Sequence, residues 1–549
     1  MKKSILAATM TSCFLLCNYA LAAENLAGID LNRTREYLER ERVARQIAED
    51  RAKAASKVEG AAVSQQQSEA PDISFELKNI TTDPSTVLAD TELKAIVNPY
   101  VGKKTSVKEL YTIVGEINKL YEQKGFVTCR AFLMAQTIKN GIVHITLIEG
   151  RTGGTEVVGN KNTKARYIAN RLHLREGEVA NTKVLNKDLL WFNATNDAQL
   201  RVVMKAGAKP GTTDYVIEAY EPKQHNVTVF LDNAGSYSSS SYRQGLFYNA
   251  KSISGNRDDM NIGFVRSKGT KALSAAYNRS VGRSGTKLNL SYNTNSVRSV
   301  RGTGRELGVK GHANAYAIGI TQPWVVNEKV RSEASLEFSR QDSKTDIRNY
   351  PGSNFVDDKV NDVTLGFALT NYGKSHVIYQ KHNLIYGTYD SVDKDDNFFC
   401  YKGTGLYQKA YSHGHMISAR AELQHSSKDN LISSRQFYIG GMYSVRGYKE
   451  NYLGGDGGLN FSAEYSVPVT KDKNTSVFTF FDYGQVWGEV AESNNRERIL
   501  SSLGLGVKTT LAKKYYASLS MGFPLGTHYA GKAEYVSKTR LHFVVNGQF

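Results

Sequence analysis

Across residues 225–549, apolar and polar residues alternate in stretches of about ten, separated by Gly, Asn, Asp and Ser. Sixteen such stretches can be counted: 227–233, 244–251, 260–266, 273–278, 287–293, 313–323, 331–340, 363–371, 377–387, 399–411, 417–425, 459–468, 476–487, 500–511, 515–523 and 540–549. A period of two puts every second side chain on one face of a strand. In the last stretch Leu541, Phe543, Val545 and Phe549 share one face, while Arg540, His542, Asn546 and Gln548 share the other. Lipid outside and water inside account for that split, and an even number of tilted strands is what bacterial barrels use. The competing reading, a soluble β-sandwich or propeller, leaves the polar second face and the terminal Phe549 without a purpose.

Upstream the period changes. Residues 31–57 predict a charged helix, in which Arg35, Glu39, Arg42 and Glu49 belong to an acid–base lattice at i, i+3 and i+4 spacing. With few apolar residues, this helix is either disordered or housed somewhere wet. Residues 58–71 are small and polar and read as a linker. Ile73, Phe75 and Leu77 then alternate as on a strand, and Ser106 and Glu109 fit a capping box. Leu110, Ile113, Val114, Ile117, Leu120 and Tyr121 follow on one helical face that Gly125 ends, with strands near 128–135 and 142–149. Residues 151–222 repeat the order: a strand at 154–158, helices at 164–174 and 183–194, strands at 200–205 and 214–220. Two units of about 75 residues with one element order form an internal repeat.

Composition sharpens the barrel reading. The chain has 32 Tyr, 47 Gly and only 9 Pro in 549 residues, which fits strands with aromatic girdles and few breaks. Lys2 and Lys3, the apolar run 5–16 and Ala20-Leu21-Ala22 predict a secretory leader cut after Ala22. The formal charge of +17 becomes +15 once those two lysines leave with a leader that holds no acid. Cys13 and Cys17 leave too, so Cys129 and Cys400 remain, with neither a disulfide framework nor a zinc spacing. Beyond the leader no apolar run approaches the roughly 20 residues of a membrane helix. Closed barrels are the other structures that can cross lipid.

Candidate chemistry concentrates in the last 110 residues. Val445-Arg446-Gly447-Tyr448 lies in a long connection, 427–458, and Phe480-Phe481-Asp482-Tyr483-Gly484 lies within the thirteenth stretch. A carboxylate facing lipid is disfavoured, so Asp482 should point into the lumen and needs a cation. Arg446 supplies one if the connection folds inward. Arg446 in solvent, with Asp482 as one lumen polar among many, is an equally weighted reading from the residues alone. No G-x-S-x-G, H-E-x-x-H or phosphate loop is present, so no enzyme or cofactor is predicted. His413 and His415 make an incomplete metal pair. Asp390, Asp393, Asp395 and Asp396 suggest calcium weakly, without a glycine at the needed bend.

These motifs resemble those of the outer-membrane translocators of two-partner secretion, the TpsB family, relatives of the barrel-assembly proteins. Val445-Arg446-Gly447-Tyr448 and Phe480-x-Asp482-x-Gly484 are similar to the family's VRGY/F and FxDxG signatures, and Tyr121, Gly125, Thr128-Cys129-Arg130 and Glu149-Gly150 to that of its first POTRA domain. The likeness spans the mature chain and implies a transmembrane β-barrel of sixteen antiparallel strands with an N-terminal plug helix and two periplasmic α+β POTRA domains. It divides the chain into a leader (1–22), plug helix (23–57), linker (58–72), POTRA domains (73–150 and 151–222) and barrel (223–549). It further implies that Arg446 pairs with Asp482 to fix an inward loop and that Phe549 closes an assembly signal. By the same resemblance the POTRA domains bind an unfolded exoprotein with an N-terminal secretion domain, such as an adhesin, haemolysin or contact-dependent toxin. Outer-membrane lipid, lipopolysaccharide and the barrel-assembly machinery are the other expected partners, and nucleic acid is not one. A barrel-assembly factor is the alternative function, and a diffusion porin would leave about 200 residues without use.

Overall fold

The computed structural model describes residues 25–52, 58–59, 73–348, 355–392, 395–489, 498–529, 532–534 and 538–549. The expected leader, residues 53–57 and most of the linker lie outside them. The chain divides into two compact units, one holding the N-terminal helix with the C-terminal strands and the other the α+β repeats.

In the α+β unit, β1 (Ser74–Leu77) is followed by β2 (Asn79–Thr82) and the helix Asp90–Val97. Then come β3 (Lys103–Ser106), the helix Val107–Lys124, β4 (Cys129–Phe132) and β5 (Ile142–Glu149). β1 pairs with β3, and β5 lies between β2 and β4, parallel to the first and antiparallel to the second. The second repeat places β6 (Arg151–Val158), helices Ala165–Ala169 and Thr182–Thr195, β7 (Gln199–Ala206) and β8 (Thr212–Tyr220) in the same topology. Each repeat buries its own core: Leu110, Ile113, Ile117 and Tyr121 against Val143 and Ile145 in the first, Leu185, Leu189 and Phe192 against Val202, Tyr215 and Ile217 in the second.

Local chemistry explains the helix ends. Ser106 Oγ accepts from the Glu109 N–H (3.3 Å) while Glu109 accepts from the Ser106 N–H (2.7 Å). Gly125 ends the helix at φ +89°, a conformation that costs glycine least. The expected helix at 164–174 is shorter, Ala165–Ala169, although Leu172 remains in the core. Each second helix also supplies an asparagine to a sheet edge. Asn118 bonds both the N–H (2.7 Å) and the carbonyl (3.1 Å) of Ala131 on β4, and Asn193 does the same at Leu200 on β7 (2.7 and 3.0 Å).

The other unit is a closed antiparallel barrel. Its strands begin with β9 (His225–Asp232), β10 (Arg243–Lys251), β11 (Asp259–Arg266), β12 (Thr270–Val281) and β13 (Thr286–Arg298). They continue with β14 (Val309–Val326), β15 (Val330–Ile347), β16 (Val356–Tyr372), β17 (His376–Asp390), β18 (Asp395–Ala410) and β19 (Met416–Ser426). A small hairpin, β20 (Phe437–Ile439) and β21 (Leu453–Gly455), interrupts the wall. Then follow β22 (Gly457–Pro468), β23 (Thr475–Trp487), β24 (Arg498–Leu511), β25 (Tyr515–Tyr529), the short β26 (Lys532–Glu534) and β27 (Arg540–Gln548). Sixteen long strands answer to the sixteen alternating stretches, and β27 closes on β9. That seam has five register pairs, 228–232 with 544–548, against sixteen between β14 and β15. The Asn233 side chain extends it, donating to the Leu541 carbonyl (2.7 Å) and accepting from the Phe543 N–H (2.9 Å).

The alternation resolves as inside against outside. On β14, Tyr316, Ile318 and Ile320 are exposed on the outer wall, while Ala313 and Ala315 are buried inside. No described helix is long and apolar enough to cross a membrane.

Inside the barrel lies the helix Leu26–Ala52. It begins five residues before the expected start at 31, because its first turns are held by burial rather than by the charge lattice. Ala27 and Leu31 pack on Val297, Ala313 and Ala315, and Asn25 Oδ1 caps the Gly28 N–H at 2.8 Å.

Candidate functional site

The site is built on β23, whose alternation turns Phe478, Phe480, Asp482 and Gly484 inward and leaves Phe481 on the outer wall. Asp482 is fully buried. The connection between β19 and β22 folds inward to meet it. Ile439, Val445, Tyr448 and Leu453 form a small core with Val486 and Leu500 of the wall, so burial of those side chains drives the loop inside.

That placement brings Arg446 onto Asp482. Arg446 Nε donates to Asp482 Oδ2 and Nη2 to Oδ1, both at 2.9 Å, and the Arg446 backbone N–H adds a third bond at 3.0 Å. Ser462 Oγ gives the carboxylate a fourth at 2.7 Å, which fills its acceptor capacity. The guanidinium also reaches Ser462 Oγ (3.1 Å) and Glu464 (3.2 Å), and Glu464 takes Lys508 at 2.8 Å. Two cations and two carboxylates thus form a neutral quartet. Beneath it the Phe480 ring centroid lies 3.4 Å from the guanidinium carbon, a cation–π contact.

Further bonds tie the loop to strands on either side. Gly447 N–H donates to Ser502 Oγ (3.2 Å), Tyr448 Oη donates to the Gly526 carbonyl (2.6 Å), and His542 Nε2 lies 2.7 Å from the Arg446 carbonyl. The wall is flattened to admit this. A Cβ on Gly522 would lie 2.5 Å from the Arg446 carbonyl oxygen, and one on Gly504 would lie 2.1 Å from the Phe480 ring. Ser462, Glu464, Lys508 and His542 were not singled out from the sequence. Their signal was the alternation itself, which already placed His542 on the polar face of its strand.

The N-terminal helix meets the same loop. Arg40 bonds the Tyr443 carbonyl (2.9 Å) and Glu422 of β19, Asn32 bonds the Ser434 carbonyl (2.5 Å), and Tyr37 stands among Phe230, Phe247 and Tyr443. Lys381 of the wall pairs with Glu39 (2.8 Å), and Asn25 donates to Asp358 (2.8 Å). Polar groups grip both sides of the helix, as a wet lumen allows.

The remaining candidates are scattered. Phe549 is exposed outside, its backbone paired with Val227 at 2.9 and 3.1 Å and its ring against Tyr515. His413 sits in a turn at φ +69° and His415 bonds Tyr465 (2.7 Å). Asp390 pairs with Lys359 and Asp396 with Lys428, while Asp393 lies outside the described residues. Among the described residues no three His, Cys, Asp or Glu gather as a metal site. Cys129 and Cys400 are free and buried, and burial pushes the Cys129 thiol up to about 11.

A family model for the haemolysin secretion/activation protein ShlB/FhaC/HecB matches residues 211–509, and one for the ShlB-type POTRA domain matches residues 75–150. Among curated proteins, the heme/hemopexin transporter protein HuxB of Haemophilus influenzae (strain 86-028NP) is 21% identical over 459 residues, covering 79% of this chain and 80% of that protein. Among solved structures, CdiB from Escherichia coli superposes with a TM-score of 0.66 at 18% identity, covering 95% of this chain and 98% of the other. BamA from Haemophilus ducreyi lacking POTRA domains 1–3 superposes at 0.54 with 14% identity, covering 86% and 100%. These two likenesses are of fold.

Proposed function

The chain belongs to the haemolysin secretion/activation ShlB/FhaC/HecB family, and from that premise we propose that it exports one large partner protein by two-partner secretion. It resides in the outer membrane, with its α+β domains in the periplasm. One observation carries the reading: a charged helix lies in the lumen and bonds both the wall and the inward loop through side chains. A diffusion porin has no need of such a stopper, whereas a channel for a long polypeptide must stay shut between cargoes.

In this mechanism the α+β domains receive the unfolded partner, the helix leaves the lumen, and the chain passes the loop pinned by Arg446 and Asp482. Folding of the partner outside draws export forward, because the folded product cannot return. The pin acts as a register device, since a buried ion pair specifies geometry better than it stabilises. The partner is an adhesin, a haemolysin, a contact-delivered toxin or a haem-acquisition protein.

The test has two arms. Deleting residues 26–52 should raise ion conductance in planar bilayers, and co-expression with a large exoprotein that carries an N-terminal secretion domain, taken from the same genome, should place that protein outside the cell. An unchanged trace with no exported protein would overturn the reading. The fold likeness to BamA favours a second reading, insertion of other barrels. Crosslinking to many barrel proteins in cells, rather than to one soluble exoprotein, would select it.

A further inference from the structure

β7 is an edge strand of the β6-β8-β7 sheet, and part of that edge is already taken by the chain's own linker. Glu59 forms a parallel bridge with Val203. Its N–H donates to the Val202 carbonyl (3.0 Å) and its carbonyl accepts from the Met204 N–H (2.9 Å). Val58 packs on the core of the second repeat and donates its N–H to Asn186 Oδ1 (2.9 Å), while the Glu59 carboxylate pairs with Arg201.

The two repeats differ here. In both, an asparagine amide occupies the outward backbone groups of one edge residue, Ala131 on β4 and Leu200 on β7. Those caps belong to helices and cannot leave without unfolding. The Glu59 bridge is different in kind: two backbone hydrogen bonds, one apolar contact and an exposed ion pair. It is a strand addition in miniature, the mode by which a sheet edge takes up an extended peptide.

We propose that Val58 and Glu59 are a resident competitor on the acceptor edge of the second α+β repeat. An extended segment of the exported polypeptide adds to β7 in their place. The inference rests on the export reading and deepens it. The edge accepts a parallel strand that offers an N–H and a carbonyl at Glu59's position, with an apolar side chain one residue before and an acid or polar group facing Arg201.

The test uses the full chain in detergent and a fluorescein-labelled peptide copying residues 55–62. In Glu59→Pro the linker lacks the N–H that bonds Val202, so the edge is vacated. In Glu59→Cys/Val203→Cys an oxidised bond locks the linker down, with the single-cysteine variants as controls, since Cys129 and Cys400 are buried. Peptide affinity should rise at least tenfold from wild type to Glu59→Pro, and binding should vanish in the oxidised pair and return on reduction. Equal affinity in all three, or none in Glu59→Pro, overturns the proposal. In cells the oxidised pair should export the co-expressed exoprotein at least tenfold less than wild type, and export at the wild-type level also overturns it. If wild type exports nothing, the export reading fails, while the peptide series still judges the edge.

Discussion

Arg40 of the lumen helix and Glu422 of β19 are joined by a forked ion pair, with Arg40 Nη2 at 2.9 and 2.7 Å from the two carboxylate oxygens. Arg420 shares the same carboxylate at 2.6 Å. The helix is therefore latched by charge at a point where the wall already has a spare cation to satisfy Glu422 when Arg40 leaves. A latch of this kind opens without stranding a buried charge.

Arg40→Ala should loosen the stopper. A hydrogen bond to a charged group contributes about 1.5–3 kcal/mol, so the open fraction should rise roughly 10- to 100-fold. Single-channel recordings in planar bilayers read this directly, and wild-type open time in the variant would remove Arg40 from the latch.

Arg446→Ala, Arg446→Lys and Asp482→Asn should each abolish or cripple export while the barrel still assembles. Lysine retains the charge but cannot form the fork or lie flat on Phe480. Removing one partner of a buried pair typically costs about 3–5 kcal/mol. Heat-modifiable mobility on gels checks assembly and supernatant blots check export. Normal export by Arg446→Lys would mean that charge alone suffices.

Gly522→Ala should mimic those variants without touching either charge. The added Cβ would stand 2.5 Å from the Arg446 carbonyl oxygen, and the loop must move to make room. Gly405→Ala is the control, since nothing lies within 4 Å of its Cβ. Proteolysis of the 427–456 connection should increase in the first variant and stay unchanged in the second.

Glu149 gives the α+β unit an acid-side limit. Burial alone would raise its carboxyl, but hydrogen bonds from the Ser85 and Thr86 hydroxyls and from the Thr86 and Val87 amides outweigh that and hold it below the usual glutamate range. A depressed value means that the stabilisation is complete above the ordinary glutamate range and lost as pH falls through the lowered one. Hydrogen exchange in residues 75–150, corrected for intrinsic rates, should therefore rise on acidification. Glu149→Gln should exchange faster at neutral pH by the equivalent of about 1–2 kcal/mol and show a shallower acid dependence, the remainder belonging to Glu92, which Lys124 also holds low.

The barrel was legible because a lipid-facing strand writes its environment into every second residue. Strand ends were not. The stretch 331–340 extends as β15 to Ile347, because beyond Arg340 the outward residues Asp342, Lys344 and Asp346 are as polar as the inward ones. Hydrogen bonding continues there after the apolar contrast stops. The lumen helix was legible as charged and wet, but its first apolar turns gave no charge pattern to mark them. At the site, alternation alone turns Asp482 inward, whereas a loop residue such as Arg446 carries no periodicity. The residues left its two placements balanced, and only the loop's small core around Val445 and Tyr448 decides between them. The edge bridge at Glu59 had no sequence signal, since one pair of backbone bonds asks nothing of the side chains.

The five-pair closure of β27 on β9 has a mechanical consequence. Under tension along its circumference a cylinder parts where the fewest bonds resist, and here that line runs beside Phe549. His542, which touches the Arg446 carbonyl, stands on one lip of it. Part of any force that displaces the inward loop reaches this seam through His542, the rest being taken by β23, β24 and β25, and the molecule has a hem as well as a bore.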